Sequence, residues 1–293
     1  MIKILFLYSL INFSFAQTTT ELTTDSFKEI ETKALEYGHR FGHHNVLIVL
    51  DIDNTLLTMP QNFGSDQWFN WQYENCIGKK KMPDFCITSS MGEFLDLQGQ
   101  LFALSDMNPS DDHVVKVVNN LQNKGFKVIL LTSRGPEFRS ATQRVIKKNN
   151  MDFRKRAIGP KDGYAATYRP YELNNLKPYG ITKDEAIVAD LKTSRDVSYQ
   201  NGIFMGSGQH KGIMLKTLLK KTNTHPRGII FADDHEKHTQ SMQAIFGKRK
   251  NISLTTFHYT KIDPVVEKFN KSKKQDVIQD YKSFKEMKEI IFK

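Results

Sequence analysis

The stretch Asn45-Val46-Leu47-Ile48-Val49-Leu50-Asp51-Ile52-Asp53-Asn54-Thr55 decides the fold. Its apolar run is uninterrupted and rich in β-branched residues (Val46, Ile48, Val49). A strand with one wet face would alternate polar and apolar side chains, so this run predicts a strand buried on both faces. The run stops on Asp51, and Asp53 follows two residues later.

The same signature recurs twice. Phe126-Lys127-Val128-Ile129-Leu130-Leu131 follows a helix-like stretch at 114–123 that Gly125 closes. Gly228-Ile229-Ile230-Phe231-Ala232 follows a second helix-like stretch at 213–221 and a break at Pro226. Strands alternating with helices predict βαβ units and a parallel sheet. The first run ends in Asp51, the second in Thr132-Ser133-Arg134 and the third in Asp233-Asp234. In open α/β sheets ligands bind at the carboxyl ends of the strands, so three polar ends suggest one shared site.

Other segments frame these runs. After a polar, Thr-rich leader, Ser26 and Glu29 form a candidate capping box, and Phe27, Ile30, Ala34 and Tyr37 fall at helical spacing. They predict a helix to about Tyr37. Residues 59–112 hold Trp68, Phe69, Trp71, Tyr73 and both cysteines, interrupt the first βα connection, and read as an inserted cap. Between 152 and 200 the pattern is weak. Asn201-Gly202 either turns a hairpin between 197–199 and 203–205 or starts a further core strand.

These residues carry a resemblance. Asp51-Ile52-Asp53-Asn54-Thr55-Leu56-Leu57 resembles motif I of the haloacid dehalogenase (HAD) superfamily, D-x-D-x-T-[LV]-[LV]. Thr132 resembles the Thr/Ser of motif II. Lys211, within Gly208-Gln209-His210-Lys211-Gly212, resembles the motif III lysine at the start of a helix, and Asp233-Asp234 resembles motif IV. The four motifs stand in family order between Asn45 and about His238.

The resemblance implies an α/β fold with a HAD-like Rossmannoid parallel sheet flanked by helices and an inserted, mainly helical cap. It divides the chain into a core of residues 17–58 and 113–293 and a cap of 59–112. It also implies a phosphoric monoester hydrolase using Mg²⁺ and a phosphorylated small-molecule substrate. Asp51 would be the nucleophile and give the metal one carboxylate oxygen, Asp53 its backbone carbonyl, and Asp233 and Asp234 the rest. A carboxylate and a phosphate dianion repel each other, and a divalent cation beside both removes that repulsion. Asp53 would protonate the leaving oxygen and deprotonate the attacking water. Thr132 would bind phosphoryl oxygens, and Lys211 would hold the same charge as a compact cation. Ser133 is the nearest rival to Thr132, and Arg134 is a further candidate for the phosphate or the leaving group.

Motif IV departs from the usual pattern. The segment reads Asp233-Asp234-His235-Glu236-Lys237-His238, with His238 near where a further acid is common. Either His238 replaces that acid behind the metal ligands, or the aspartate pair suffices. His235 and His238, three apart, would suit Zn²⁺, but the oxygen-rich remainder favours Mg²⁺. His43, His44 and His113 read as surface or packing residues. In the cap, Trp68, Trp71 and Tyr73 either stack on a substrate or fill the cap's own core.

Bulk properties set the context. The 293 residues suffice for a large core and a second lobe. Met1-Ile2-Lys3, the apolar run 4–15 and Ser14-Phe15-Ala16 have the three parts of a cleaved export signal at 1–16, with Gln17 as the new N-terminus. A periplasmic or secreted protein is expected, with no membrane span in the mature chain. In such an oxidising space Cys76 and Cys86 would close a short disulfide loop, with two free thiols as the alternative. The net charge of +10, with lysines at 79–81 and along 268–293, is that of a solvated basic surface. No aromatic-interleaved nucleic-acid motif accompanies it. The alternative to an enzyme is a non-catalytic exported domain that binds a phosphorylated ligand or a protein partner.

Overall fold

The computed structural model describes residues 18–292. The expected leader at 1–16 lies outside the described residues. In chain order the elements are β1 (Thr19–Thr24), α1 (Phe27–Phe41), β2 (Val46–Leu50), β3 (Leu57–Thr58), α2 (Asp66–Cys76) and α3 (Met91–Leu104). There follow β4 (Asn108–Pro109), α4 (Val114–Asn123), β5 (Lys127–Thr132), α5 (Arg139–Lys148), α6 (Lys183–Val188), β6 (Ser198–Gln200) and β7 (Ile203–Met205). The chain ends with α7 (Lys211–Lys221), β8 (Gly228–Asp233), α8 (Glu236–Phe246), β9 (Ser253–Tyr259), α9 (Asp263–Lys271) and α10 (Gln275–Ile291).

Seven strands form one sheet in the order β1-β9-β8-β2-β5-β7-β6, parallel throughout except for the antiparallel pair β6–β7. The expected α/β architecture is therefore present. β2 lies between β8 and β5, and all five of its residues are buried. Successive side chains leave a strand on opposite faces. Val46, Ile48 and Leu50 thus pack with Ile30 and Tyr37 of α1, Val117 and Leu121 of α4 and Val145 of α5. Leu47 and Val49 pack on the other side with Ile213 and Leu218 of α7 and Met242 and Ile245 of α8.

Several local expectations are refined. The Thr-rich stretch is no plain leader: Thr19–Thr24 is β1, parallel to β9 at the sheet edge. Ser26 caps α1, but its hydroxyl accepts from the Lys28 amide, and the helix runs on to Phe41. Both readings of 197–205 hold together, since β6–β7 is a hairpin and β7 also joins the sheet beside β5. Asn201 and Gly202 both have positive φ (52° and 75°), the conformation a two-residue hairpin turn requires.

Between β2 and α4 the chain leaves the sheet. β3 pairs with β4 at the base of this excursion, and α2 and α3 lie beyond it. Cys76 and Cys86 are bonded, closing the loop after α2. A third apolar cluster holds Phe63, Trp68, Phe94, Leu97 and Leu101 together. Phe269 of α9 and Val277 of α10 join this cluster, so the C-terminal helices pack on the excursion although they follow the sheet in sequence. No helix among the described residues is long and apolar enough to cross a membrane.

Candidate functional site

The three strand ends converge. β2 delivers Asp51, whose amide donates to the Ala232 carbonyl at 3.0 Å, so the ends of β2 and β8 are locked in register. β8 delivers Asp233 and Asp234, and β5 delivers Thr132. Beyond Asp53 the chain must reverse at once, and Asn54 does this in the left-handed region (φ 55°). Asparagine tolerates that conformation better than most residues.

Lys211 enters from the first turn of α7. Its Nζ lies 2.5 Å from Asp51 Oδ1 and 2.5 Å from Asp233 Oδ2, with the side chain almost wholly buried. α7 comes this close because Gly212 has no Cβ. A Cβ there would stand 2.2 Å from the Ser241 carbonyl oxygen and 2.8 Å from Ile245 on α8.

The electrostatics follow from burial and charge count. Burial pushes the Asp51 carboxyl up to about 7; Lys211 opposes this, while Asp233 and Asp53 add to it. Burial acts on Asp233 too, but Lys211 and then His238 outweigh it and hold that carboxyl below the usual range. Asp234 is pushed well up by burial, with Asp66, Asp233 and Asp51 nearby, against the pull of His235. Lys211 is raised above its ordinary value: the two aspartates more than offset its burial.

Each motif IV neighbour has a defined contact. His238 Nδ1 lies 2.8 Å from Asp233 Oδ1, and the His235 amide donates to the same oxygen at 3.0 Å. His238 therefore stands behind Asp233, in contact with an expected metal ligand. Burial, then Lys211, lowers its pKa to about 4 despite Asp233. The His235 ring turns away to Asp66 at the start of α2, with Nε2 3.2 Å from Oδ2. Although burial opposes it, this pairing raises His235 to about 9. Asp234 is tied to motif I, since its amide donates to Thr55 Oγ1 at 2.9 Å.

Arg134 contacts Asp53. Its Nε donates to Asp53 Oδ2 at 2.9 Å and its Nη2 to Asp53 Oδ1 at 2.7 Å. Nη1 donates to Thr142 on α5, and the guanidinium lies 3.9 Å from the centre of the Phe102 ring on α3. Arg134, a candidate for the phosphate or the leaving group, lines the cavity with its guanidinium directed at Asp53. The Thr132 hydroxyl accepts from the Arg134 amide at 3.1 Å, and Ser133 is exposed on the same loop.

Asp51, Asp53, Thr132, Ser133, Arg134 and Lys211 all line one cavity of about 1020 Å³; Asp233 and Asp234 lie behind its floor. Side chains of α2 and α3 also line the cavity. Asp51, Asp233 and Asp234 offer oxygens that all lie within 4.8 Å of one another, a spacing that could hold a metal ion; Asp66, Asp234 and His235 form a second such group. The first group fits a hard divalent cation. Its donors are carboxylate oxygens, two of them buried and the third, on Asp234, half-buried, with Lys211 between Asp51 and Asp233 and His235 3.9 Å from Asp234 as the neighbouring cations. Asp66, Phe102 and Thr142 had no signal in the sequence, because their approach depends on how α2, α3 and α5 pack.

Fold and site together define a Rossmann-like α/β protein with a buried aspartate cluster at the carboxyl edge of its sheet. The chain belongs to the DUF2608 family, described as "Protein of unknown function (DUF2608)", whose profile matches residues 23–291. The sequence matches no curated protein.

Proposed function

We propose that this chain is a Mg²⁺-dependent phosphomonoesterase of the HAD type, acting on a phosphorylated small molecule through an aspartyl-phosphate on Asp51. The observation that carries the reading is the contact of Lys211 with both Asp51 and Asp233 at 2.5 Å, on the floor of a cavity large enough for an organic phosphate. In this arrangement the nucleophile, a fixed cation and two further carboxylates meet at the strand ends.

Asp51, Asp233 and Asp234, with the Asp53 carbonyl, would hold Mg²⁺, which supplies the positive charge that lets a carboxylate approach a phosphate dianion. The protein's own groups do the rest. Lys211 neutralises Asp51 and the incoming phosphoryl group, and Thr132 donates to a phosphoryl oxygen. A carboxylate oxygen of Asp51 forms a bond to phosphorus as the bond to the leaving alcohol breaks. Asp53 gives a proton to the leaving oxygen. Water then attacks phosphorus while losing a proton to Asp53, the Asp51–phosphorus bond breaks, and orthophosphate departs. Arg134 positions Asp53 for both transfers. Each Asp53 oxygen accepts one bond from Arg134 and keeps a lone pair for the proton.

A second reading draws on that same grip. A domain that binds a phosphorylated ligand or protein partner without turnover would also keep Asp53 tied to Arg134. An aryl phosphate assay with Mg²⁺, with chelator, and beside Asp51→Asn separates the two. Release of phosphate that needs Mg²⁺ and Asp51 is expected of the enzyme; binding without release supports the second reading.

Export belongs to the proposal as well. The signal-like residues 1–16 and the Cys76–Cys86 bond, of a kind that persists in oxidising compartments, both favour a periplasmic or secreted protein. N-terminal sequencing of the native protein should begin at Gln17; a retained Met1 would count against export.

A further inference from the structure

The cavity is much larger than a phosphate group needs. At about 1020 Å³ it matches sites that hold drug-sized ligands. Its floor is charged, while α2 and α3 add apolar side chains to its lining beside the polar Asp66, Asn70, Glu74 and Gln98. Phe69 and Tyr73 lie four apart on α2, and Met91 and Leu95 four apart on α3, so each pair shares one helix face, and all four line the cavity. Tyr73 is 50% exposed and Met91 37% exposed, although both are apolar.

The Tyr73 ring is backed by a stack of two further rings. The Phe69 and Tyr73 rings are parallel within 8°, with centroids 6.3 Å apart. Phe69 also stacks at 4.8 Å on Phe94, which is fully buried and cannot give way. The other aromatic candidates of the segment are already spent. Trp68 is buried against Phe63 and Phe94, and Trp71 stacks on Phe85 and meets the edge of Phe269. The Phe102 ring, which reaches the cavity, is covered by Arg134. Tyr73, half exposed and stacked on Phe69, thus remains open to a ligand whose phosphate reaches Asp51.

We infer that the substrate is a phosphomonoester whose leaving alcohol carries a planar aromatic group, stacked on Tyr73, which Phe69 backs. The inference rests on the phosphomonoesterase reading. Rings stack on rings face to face or with an offset, and a flat backed surface rewards a flat partner over a flexible chain. The aromatic group is a simple aryl ring or a nucleobase; both present the same face.

The test compares benzyl phosphate and a nucleoside 5′-monophosphate with n-butyl phosphate and glycerol 3-phosphate. All four leave as primary alcohols, so their intrinsic reactivities are similar. kcat/KM should favour the aromatic esters about fivefold to tenfold, the range expected of one aromatic stack. Tyr73→Ala should reduce that ratio and Tyr73→Phe should keep it, with circular dichroism checking that both variants fold. The faster of the two aromatic esters identifies the kind of ring. Equal kcat/KM across all four esters, or a ratio untouched by Tyr73→Ala, overturns the inference. If no ester releases phosphate, the phosphomonoesterase reading fails by itself. Calorimetry with benzylphosphonate and butylphosphonate then decides the wall: tighter aromatic binding, lost in Tyr73→Ala, upholds the stack, and equal binding or none removes it.

Discussion

Arg134 holds Asp53 by a two-pronged contact, 2.9 Å from Nε to Oδ2 and 2.7 Å from Nη2 to Oδ1. The same guanidinium rests on Phe102 of α3 and donates to Thr142 of α5. One buried side chain thus links the motif I aspartate, the β5 loop, the excursion and a core helix.

Arg134→Lys keeps the charge but cannot make a planar fork. Under the phosphatase reading kcat should fall roughly 10- to 100-fold, as for a misplaced catalytic group, with KM changing much less. Steady-state kinetics check this. Unchanged kcat would mean that the fork does not position Asp53.

Mg²⁺ should stabilise the fold by binding only its native form. At a concentration of about 100 times Kd the gain is about 2.7 kcal/mol, or roughly 5–10 °C in Tm for a chain of this size. Asp234→Asn should lose most of the shift. Thermal melts with MgCl₂ and with chelator measure it, and a wild-type Tm indifferent to the ion speaks against the aspartate cluster as a metal site.

Lys211→Met leaves Asp51 and Asp233 without their shared cation, a loss of roughly 3–5 kcal/mol for a broken buried pair. Adding Asp51→Asn to that variant removes one of the two facing charges. The double variant should therefore be more stable than Lys211→Met alone. Urea unfolding in chelator gives the comparison; strict additivity would show that the two side chains do not interact.

The bond between Cys76 and Cys86, ten residues apart, closes a short loop. Replacing both cysteines by serine should cost about 2–3 kcal/mol in the loop-entropy account. α2 carries Phe69 and Tyr73, so the cavity wall should loosen with it. Hydrogen exchange of the α2 amides reads that change directly.

Glu185 supplies a pH prediction away from the candidate centre. Burial raises its carboxyl pKa, but hydrogen bonds from Lys216, the Thr182 amide and Arg249 outweigh it and set the pKa below the ordinary 4.5. The native state therefore binds this proton less readily than the unfolded chain. The stabilisation is present above about pH 4.5 and is lost as pH falls through the lower native value. Glu185→Gln should cost about 1–2 kcal/mol at pH 7, and the gap to wild type should narrow steadily below pH 4.5. A gap that stays constant down to acid pH would contradict it.

Much of the sheet was legible because its central strands need no context. Runs such as Val46–Leu50 and 228–232 carry no charged or polar side chain, and only a strand covered on both faces suits them. Their polar ends announced one site, and the residues named there do meet. The edges were harder. Thr19–Thr24 has no apolar run, and it is a strand only because β9 lies beside it. The aromatics of α2 show the same limit: Trp68 and Tyr73 look alike in sequence, yet one is buried and the other lines the cavity.

What the sequence determined by itself is the three central strands with the helices that precede them, the acids and threonine at their ends, and the lysine that opens α7, since periodicity and strand-end chemistry are local properties. Tertiary structure alone decided that Arg134 turns to Asp53, that His235 reaches Asp66, and that α9 and α10 pack with α2 and α3. Those contacts join residues from 81 to more than two hundred positions apart. No local pattern encodes them, because they form only when separate apolar faces are buried against one another and bring their polar neighbours into reach.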